Sequence, residues 1–538
     1  MTARWHRREF LGATAGMALA GRSTLAAAPA KVTGLVNGHP QAAVAGNEVL
    51  AAGGNAVDAI VAAALVAGVV AVPLTGIGGY GGHLVVSRPG QRATAIDFNT
   101  AAPAALTPNF YQADESGAVK DNVNAVGWKA VGVPGVLAGL QLALDRFGSK
   151  PLAEVVKPAV VFARDGFPVS KMFASAAKAA APRFARDAGS TKLFLKDGEP
   201  PAAGATFKNP ELATLLQTLA DRGSVATFYK GDIADRIAAS FRKNGGLVTA
   251  VDLATYRARE VAPLSVEWNG FTVHTPPPSA GGLTVLQTLA TLKSLGWPGR
   301  STEPERTRMY LEALRVAWTD RLELLGDPAH TDVPVKRLLS EEYARQTTDR
   351  VRAAIKSGKP IEGRTDRRSD AGTIHLNAVD TSGLTVALTF THGEYFGAQV
   401  TVDGLGLLLG HGLSRFDPRT GRTNSPAPGK RPLHNMCPTV VTRTDNPVLA
   451  VGAIGGRRIV NAVLRGVAGF VAEGLSVPDA VAAPRVHTEG DLAVLTAPKH
   501  PAVDHLKAVG YRVTAGAVAT LTALGRDATT GTPQPAVR

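Results

Sequence analysis

Two short segments late in the chain alternate polar and apolar residues on either side of a turn. Thr373-Ile374-His375-Leu376-Asn377-Ala378 is the first and Thr385-Val386-Ala387-Leu388-Thr389-Phe390-Thr391 the second, with Asp380-Thr381-Ser382-Gly383 between them. Period-two alternation bounded by Asp, Ser and Gly predicts a β-hairpin. Thr373 and Thr391 each lie nine residues from Ser382. In an unbulged hairpin they face each other with adjacent side chains. Such a hydroxyl pair is either a structural cross-strand pair or part of an active site, and spacing alone leaves both readings standing.

At 538 residues the chain needs two or more lobes, or one large layered domain. Hydrophobic residues make up 45% and charged residues 19%, which fits a globular protein rather than a disordered one. The N-terminus reads as a targeting signal. Arg7-Arg8-Glu9-Phe10-Leu11-Gly12 is a twin-arginine motif, Ala13 to Gly21 is weakly apolar, and Ala26-Ala27-Ala28 offers a cleavage site. The expected signal is therefore 1–28, with the periplasm or exterior as destination and no stable membrane span. Cys437 is the only cysteine, so no intrachain disulfide is possible. The formal charge of +14 is scattered rather than clustered with aromatics. It suits anionic small molecules better than nucleic acid.

Residues 40–70 read as an Ala- and Val-rich helix with the turn Gly53-Gly54-Asn55 near its middle. Strands are expected over His83 to Ser87 and Ala93 to Phe98, and helices over Gly135 to Phe147 and Leu152 to Asp165. The polar stretch Lys356 to Asp370 reads as an exposed loop. Gly76-Ile77-Gly78-Gly79-Tyr80-Gly81 fits G-x-G-x-x-G, but a helix precedes it and a strand follows, the reverse of a dinucleotide site. A close backbone approach is the better reading. No G-x-S-x-G, H-E-x-x-H or G-K-[ST] motif occurs, and the histidines lack metal spacing, so no metal or cofactor is expected. Gly455-Gly456, after the apolar run Val448 to Ile454, is either a strand-to-helix turn or a pair of oxyanion-binding N–H groups.

Together these segments resemble the γ-glutamyltransferase (γ-glutamyltranspeptidase) family. The likeness runs through Ala52 to Ala64, Thr75 to Gly82, Val131 to Gly139, Pro276 to Gly282, Asp320 to Pro328, Gly372 to His375, Lys430 to Thr439 and Ile454 to Gly456. It implies an N-terminal-nucleophile fold, a four-layer αββα sandwich made from a self-cleaved precursor. Cleavage between Gly372 and Thr373 would give a large chain 29–372 and a small chain 373–538 that stay associated. The resemblance further implies Thr373 as nucleophile, with its freed α-amine as base. Thr391 would bond the nucleophile, and the Gly455 and Gly456 N–H groups would hold the oxyanion. The implied reaction is cleavage of a small-molecule amide through an acyl-threonine, with release to water or an amine.

Several positions depart from the family pattern. Asn99 stands where an arginine grips the glutamyl carboxylate, and His434-Asn435 replaces a serine pair. Gly393 replaces an asparagine, and Ser414 falls where an acidic residue binds the α-ammonium. Arg415, Arg431, Arg457 and Arg458 are candidates for a relocated anion contact. An amide other than γ-glutamyl is the first expectation. Ordinary glutathione hydrolysis and a non-catalytic exported binding protein are the alternatives.

Overall fold

The structure, a computed structural model, describes residues 34–364, 372–496, 498–516, 518–527 and 530–538. The expected export signal and the 365–370 part of the expected loop lie outside them. Strands β1 (Gly34–Asn37), β2 (Gly81–Ser87), β3 (Thr94–Asp97), β4 (Arg259–Val261), β5 (Leu264–Trp268) and β6 (Phe271–Thr275) come first in the chain. The hairpin β7 (Gly372–Asp380) and β8 (Thr385–Gly393) follows, then β9 (Thr439–Arg443), β10 (Asn446–Ile454), β11 (Thr520–Arg526) and β12 (Pro533–Val537). They form two six-stranded sheets, ordered β1-β7-β8-β2-β3-β4 and β12-β11-β10-β9-β6-β5. Neighbours within both sheets are antiparallel. Strands from before and after residue 372 thus share both sheets.

Alternation assigns each face of the hairpin. Ile374, Leu376 and Ala378 of β7, with Val386, Leu388 and Phe390 of β8, join one apolar core with helix α2 (Ala56–Val70). Val441, Leu449, Val451 and Ala453 of the second sheet join another with α3 (Gly282–Leu295), α4 (Glu303–Leu324) and α5 (Arg458–Val471). Helices therefore cover the outer faces of two stacked sheets, the αββα arrangement.

The expected helix over 40–70 is two, α1 (Pro40–Ala51) and α2. Gly53 turns the chain at φ +82°. Asn55 then caps α2, accepting from Val57 N at 2.8 Å, while Asp58 accepts from Asn55 N at 2.8 Å. This reciprocal capping satisfies N–H groups that a wholly buried helix cannot leave to water. The helix expected over 152–165 likewise breaks at Val156, and the one ending at Ser357 takes the first two residues of the expected loop. The glycine-rich 76–81 loop is a close approach, as expected: a Cβ on Gly78 would stand 2.4 Å from the Leu408 carbonyl oxygen.

The layer between the sheets is partly polar and internally satisfied. His375 Nε2–H donates to Asn377 Oδ1 and its Nδ1 accepts from Thr389 Oγ1, both at 2.8 Å. Asn377 Nδ2 donates to Asn37 Oδ1 at 3.1 Å and to the Thr522 carbonyl at 3.3 Å. The bond to Thr522, with one from Asn37 Nδ2 to the Ala523 carbonyl at 2.7 Å, joins the sheets through directional contacts that a purely apolar layer lacks.

Candidate active site

The hairpin keeps the register set by its turn as far as Ile374 opposite Phe390, then shifts so that Gly372 pairs with Gly393. The two threonines lie inside that shift. Gly393 sits at φ +102°, where a side chain is strained. A Cβ there would also stand 2.0 Å from His411 Nε2. That nitrogen accepts from Glu394 N at 2.6 Å, and His411 Nδ1–H donates to the Ala125 carbonyl at 3.1 Å. The tautomer is thereby fixed, and the ring braces the shifted strand end.

Inside this brace the Gly372 carbonyl gathers two hydroxyls. Thr373 Oγ1 lies 2.5 Å from its oxygen and 3.3 Å from Thr391 Oγ1. The Thr391 hydroxyl donates to the same carbonyl oxygen and accepts from Gly393 N at 2.8 Å. Both threonines are buried. A hydroxyl held against a polarised carbonyl is suited to adding to it, because the second donor stabilises the charge that develops on oxygen.

The second sheet brings the glycine turn to the same end of the sandwich. Ala387 shares a small cluster with Val440 and Ala450, and a Cβ on Gly452 would meet His375 Cε1 at 2.2 Å. Continuing that two-residue step carries Thr373 and Thr391 toward Ile454 and the Gly455-Gly456 turn. Gly455 has φ +137° and Gly456 φ +61°. Their carbonyls accept from Arg458 N at 3.2 Å and Ile459 N at 3.1 Å, closing the turn into α5.

Arg457, just after the turn, lines a cleft of about 220 Å3 together with Ser414, Arg415 and Asn435. Asn435 Oδ1 accepts from Arg321 Nη2 at 3.0 Å. The other positions singled out in the sequence are engaged inside the protein. Asn99 Nδ2 donates to Ser279 Oγ and to the Pro432 carbonyl, both at 2.8 Å. Arg431 pairs with Asp97 at 2.6 Å and stacks over Tyr256. His434 turns its ring to His83, with the two Nε2 atoms 2.8 Å apart. Burial lowers the pKa of both rings, to about 4 for His83, so both are neutral at pH 7. Cys437 is buried and its thiol is pushed up to about 12 by desolvation, which leaves it a packing residue.

His411, His83 and Arg321 are absent from the sequence-level candidates. Only its place three residues before Ser414 marks His411; Arg321 falls in the Asp320 to Pro328 stretch without a role of its own, and His83 carries no local signal.

An αββα sandwich with a threonine hydroxyl set against its own preceding peptide defines the N-terminal-nucleophile hydrolase class. Comparison with known proteins gives the family. The gamma-glutamyltranspeptidase family model matches residues 42–535. The glutathione hydrolase proenzyme of Escherichia coli (strain K12) is 36% identical over 459 residues, covering 82% of this chain and 78% of that protein. The acylase ACY 1 proenzyme of Pseudomonas sp. (strain SE83) is 34% identical over 472 residues, covering 86% and 83%. The crystal structure of a cephalosporin acylase from Bacillus halodurans superimposes with a TM-score of 0.84 at 26% identity over 94% of each chain. The chain belongs to the γ-glutamyltranspeptidase family and is an enzyme of that family.

Proposed function

We propose that this protein cuts itself between Gly372 and Thr373 and then uses Thr373 to cleave small-molecule amides. The observation that carries this reading is the convergence of the Thr373 and Thr391 hydroxyls on the Gly372 carbonyl oxygen. In the first step Thr373 Oγ1 bonds to the Gly372 carbonyl carbon, the peptide C–N bond breaks, and the hydroxyl proton ends on the released nitrogen. Water then hydrolyses the resulting ester, giving a Gly372 carboxylate and a free Thr373 hydroxyl. Thr391 supports the oxyanion by its hydrogen bond.

The exposed α-amine of Thr373 becomes the general base that a threonine hydroxyl lacks, since such an amine ordinarily titrates at about pH 8. Thr373 then attacks a substrate amide, and the Gly455 and Gly456 N–H groups hold the oxyanion. The amine half leaves with the proton taken from Oγ1, and water or a second amine releases the acyl group. The mature chains in this reading are 29–372 and 373–538. The Arg7-Arg8 motif supports export to the periplasm by the twin-arginine route.

Denaturing electrophoresis with N-terminal sequencing of the purified protein tests the reading. Two bands are expected, the smaller beginning at Thr373. A single intact band without amidase activity would sink it.

A further inference from the structure

Residues 431–438 belong to no strand or helix, yet they supply Asn435 to the wall of the cleft beside the Gly455-Gly456 turn. Their place comes from individual bonds rather than from a ladder. From β3 and its end, Asp97 pairs with Arg431 at 2.6 Å, and Asn99 Nδ2 donates to the Pro432 carbonyl at 2.8 Å. From β2, His83 meets the His434 ring, Nε2 to Nε2, at 2.8 Å. On the other flank His434 N donates to the Ser279 carbonyl at 3.0 Å, and the Met436 carbonyl accepts from Gly281 N at 2.9 Å.

Of the first-sheet contacts, the one from His83 lies closest to the cleft wall. His83 faces Thr389 across the sheet, and two residues away Gly81 faces Thr391. Period-two geometry therefore puts His83 one row behind Thr391 on the same face. His434 carries that position onward. Its carbonyl accepts from Arg321 Nη2 at 2.6 Å, and Asn435 Oδ1 accepts from the same nitrogen at 3.0 Å. Arg321 lies over Trp318, 5.7 Å from the ring centroid, and both line the cleft with Asn435. The His434 ring has no nitrogen left for a substrate: Nδ1 accepts from Met436 N at 3.1 Å, so Nε2–H is the group donated to His83.

We propose that His83 and His434 are positioning residues whose bond registers the Asn435-Arg321 wall of the cleft on the sheet that carries Thr373 and Thr391. The pair thereby acts on how a substrate amide is bound and not on self-cleavage, an inference that rests on the reading of Thr373 as nucleophile. The side-chain bonds of Thr373, Thr391 and His411 at the hairpin end go to residues outside 431–438. The two histidines also account for each other, since each occupies a ring nitrogen that burial would otherwise leave without a partner.

Two substitutions separate this role from plain packing. His83→Leu removes the nitrogen that accepts from His434, whereas His83→Gln keeps an acceptor at similar reach. Both proteins should self-cleave at the parent rate, which also reports that they fold. Phenylglyoxal, followed peptide by peptide by mass spectrometry, should modify Arg321 about tenfold faster in His83→Leu than in the parent, the order set by one lost buried hydrogen bond. His83→Gln should return close to the parent rate. Arg308, on the same helix and bonded to the Ala354 carbonyl at 2.8 Å, should react alike in all three. KM should rise in His83→Leu with kcat little changed, measured with L-γ-glutamyl-p-nitroanilide or glutaryl-p-nitroanilide; if neither is hydrolysed, the Arg321 rate decides. Parent Arg321 reactivity in His83→Leu, an equal rise at Arg308, or a parent KM overturns the positioning role and leaves the threonine reading intact. A parent protein that never self-cleaves overturns the threonine reading, and Arg321 reactivity in the intact chain still decides whether the pair sets the wall.

Discussion

His83 and His434, 351 positions apart in sequence, share one proton across 2.8 Å. Met436 N donates to His434 Nδ1 at 3.1 Å, so the His434 proton sits on Nε2 and is donated to His83. The His83 proton then lies on Nδ1, directed at Asp97 Oδ1 at 3.7 Å. Charging either ring would break this order, and burial opposes it.

Acid stability follows from that neutrality. Burial lowers the folded pKa to about 4 in His83, His375 and His411 and to about 3 in His392. Unfolded histidine titrates near 6.5, so between those values the unfolded chain binds more protons. Stability is therefore complete above about pH 6.5 and falls as pH drops toward 4, by up to about 3 kcal/mol per ring. Urea unfolding of uncleaved Thr373→Ala at pH 7.5 and pH 5.0 measures this. Equal midpoints at the two pH values would contradict neutral burial.

Thr373→Ala removes the oxygen proposed to attack and is expected to leave one intact band indefinitely, with no amidase activity. Thr373→Ser keeps an oxygen but loses the methyl group that restricts χ1, so cleavage should persist at a reduced rate. Time courses on denaturing gels distinguish the two.

Thr391→Val keeps shape and removes the donor to the Gly372 carbonyl. Loss of one oxyanion donor costs about 10²–10³ in rate in comparable sites. Self-cleavage should slow by that order while the protein still folds. Processing of Thr391→Val at the parent rate would remove Thr391 from the chemistry.

Gly393→Ala meets both a left-handed backbone angle and the His411 ring. A residue forced into that region costs about 1–3 kcal/mol, and the displaced ring loses its bond from Glu394 N. Slower self-cleavage and a lower unfolding midpoint are expected. Adding His411→Ala relieves the clash but not the backbone strain, so any rescue should be partial.

Cys437 should resist iodoacetamide in the native protein and react fully in urea, since only the thiolate attacks and burial keeps the thiol protonated. Mass spectrometry of the peptide that carries Cys437 reads the outcome.

Local chemistry made the hairpin legible. Asp380 to Gly383 sets its turn, alternation sets its faces, and the register followed down to Ile374 and Phe390. The shift at the threonines was not legible, because it depends on His411 arriving from another part of the chain to brace Gly393. The split of the 40–70 helix was half-visible, since Gly53 and Asn55 announced a turn but not that Asp58 would complete a cap. The identities of Asn99 and His434 marked departures from the family pattern. What they bond instead, Ser279 and His83, is fixed by sheet stacking and has no signature along the sequence.

The hairpin β7–β8 lies between β1 and β2, so a cut before Thr373 separates nothing that the sheets hold together. It changes what unfolding means. Before the cut, refolding is an event within one molecule; afterwards two fragments must meet, and recovery depends on their concentration. A mature enzyme of this design endures mainly through the slowness of its opening rather than through a reversible balance. The scission proposed to arm Thr373 would therefore also make the folded state one that the molecule enters once.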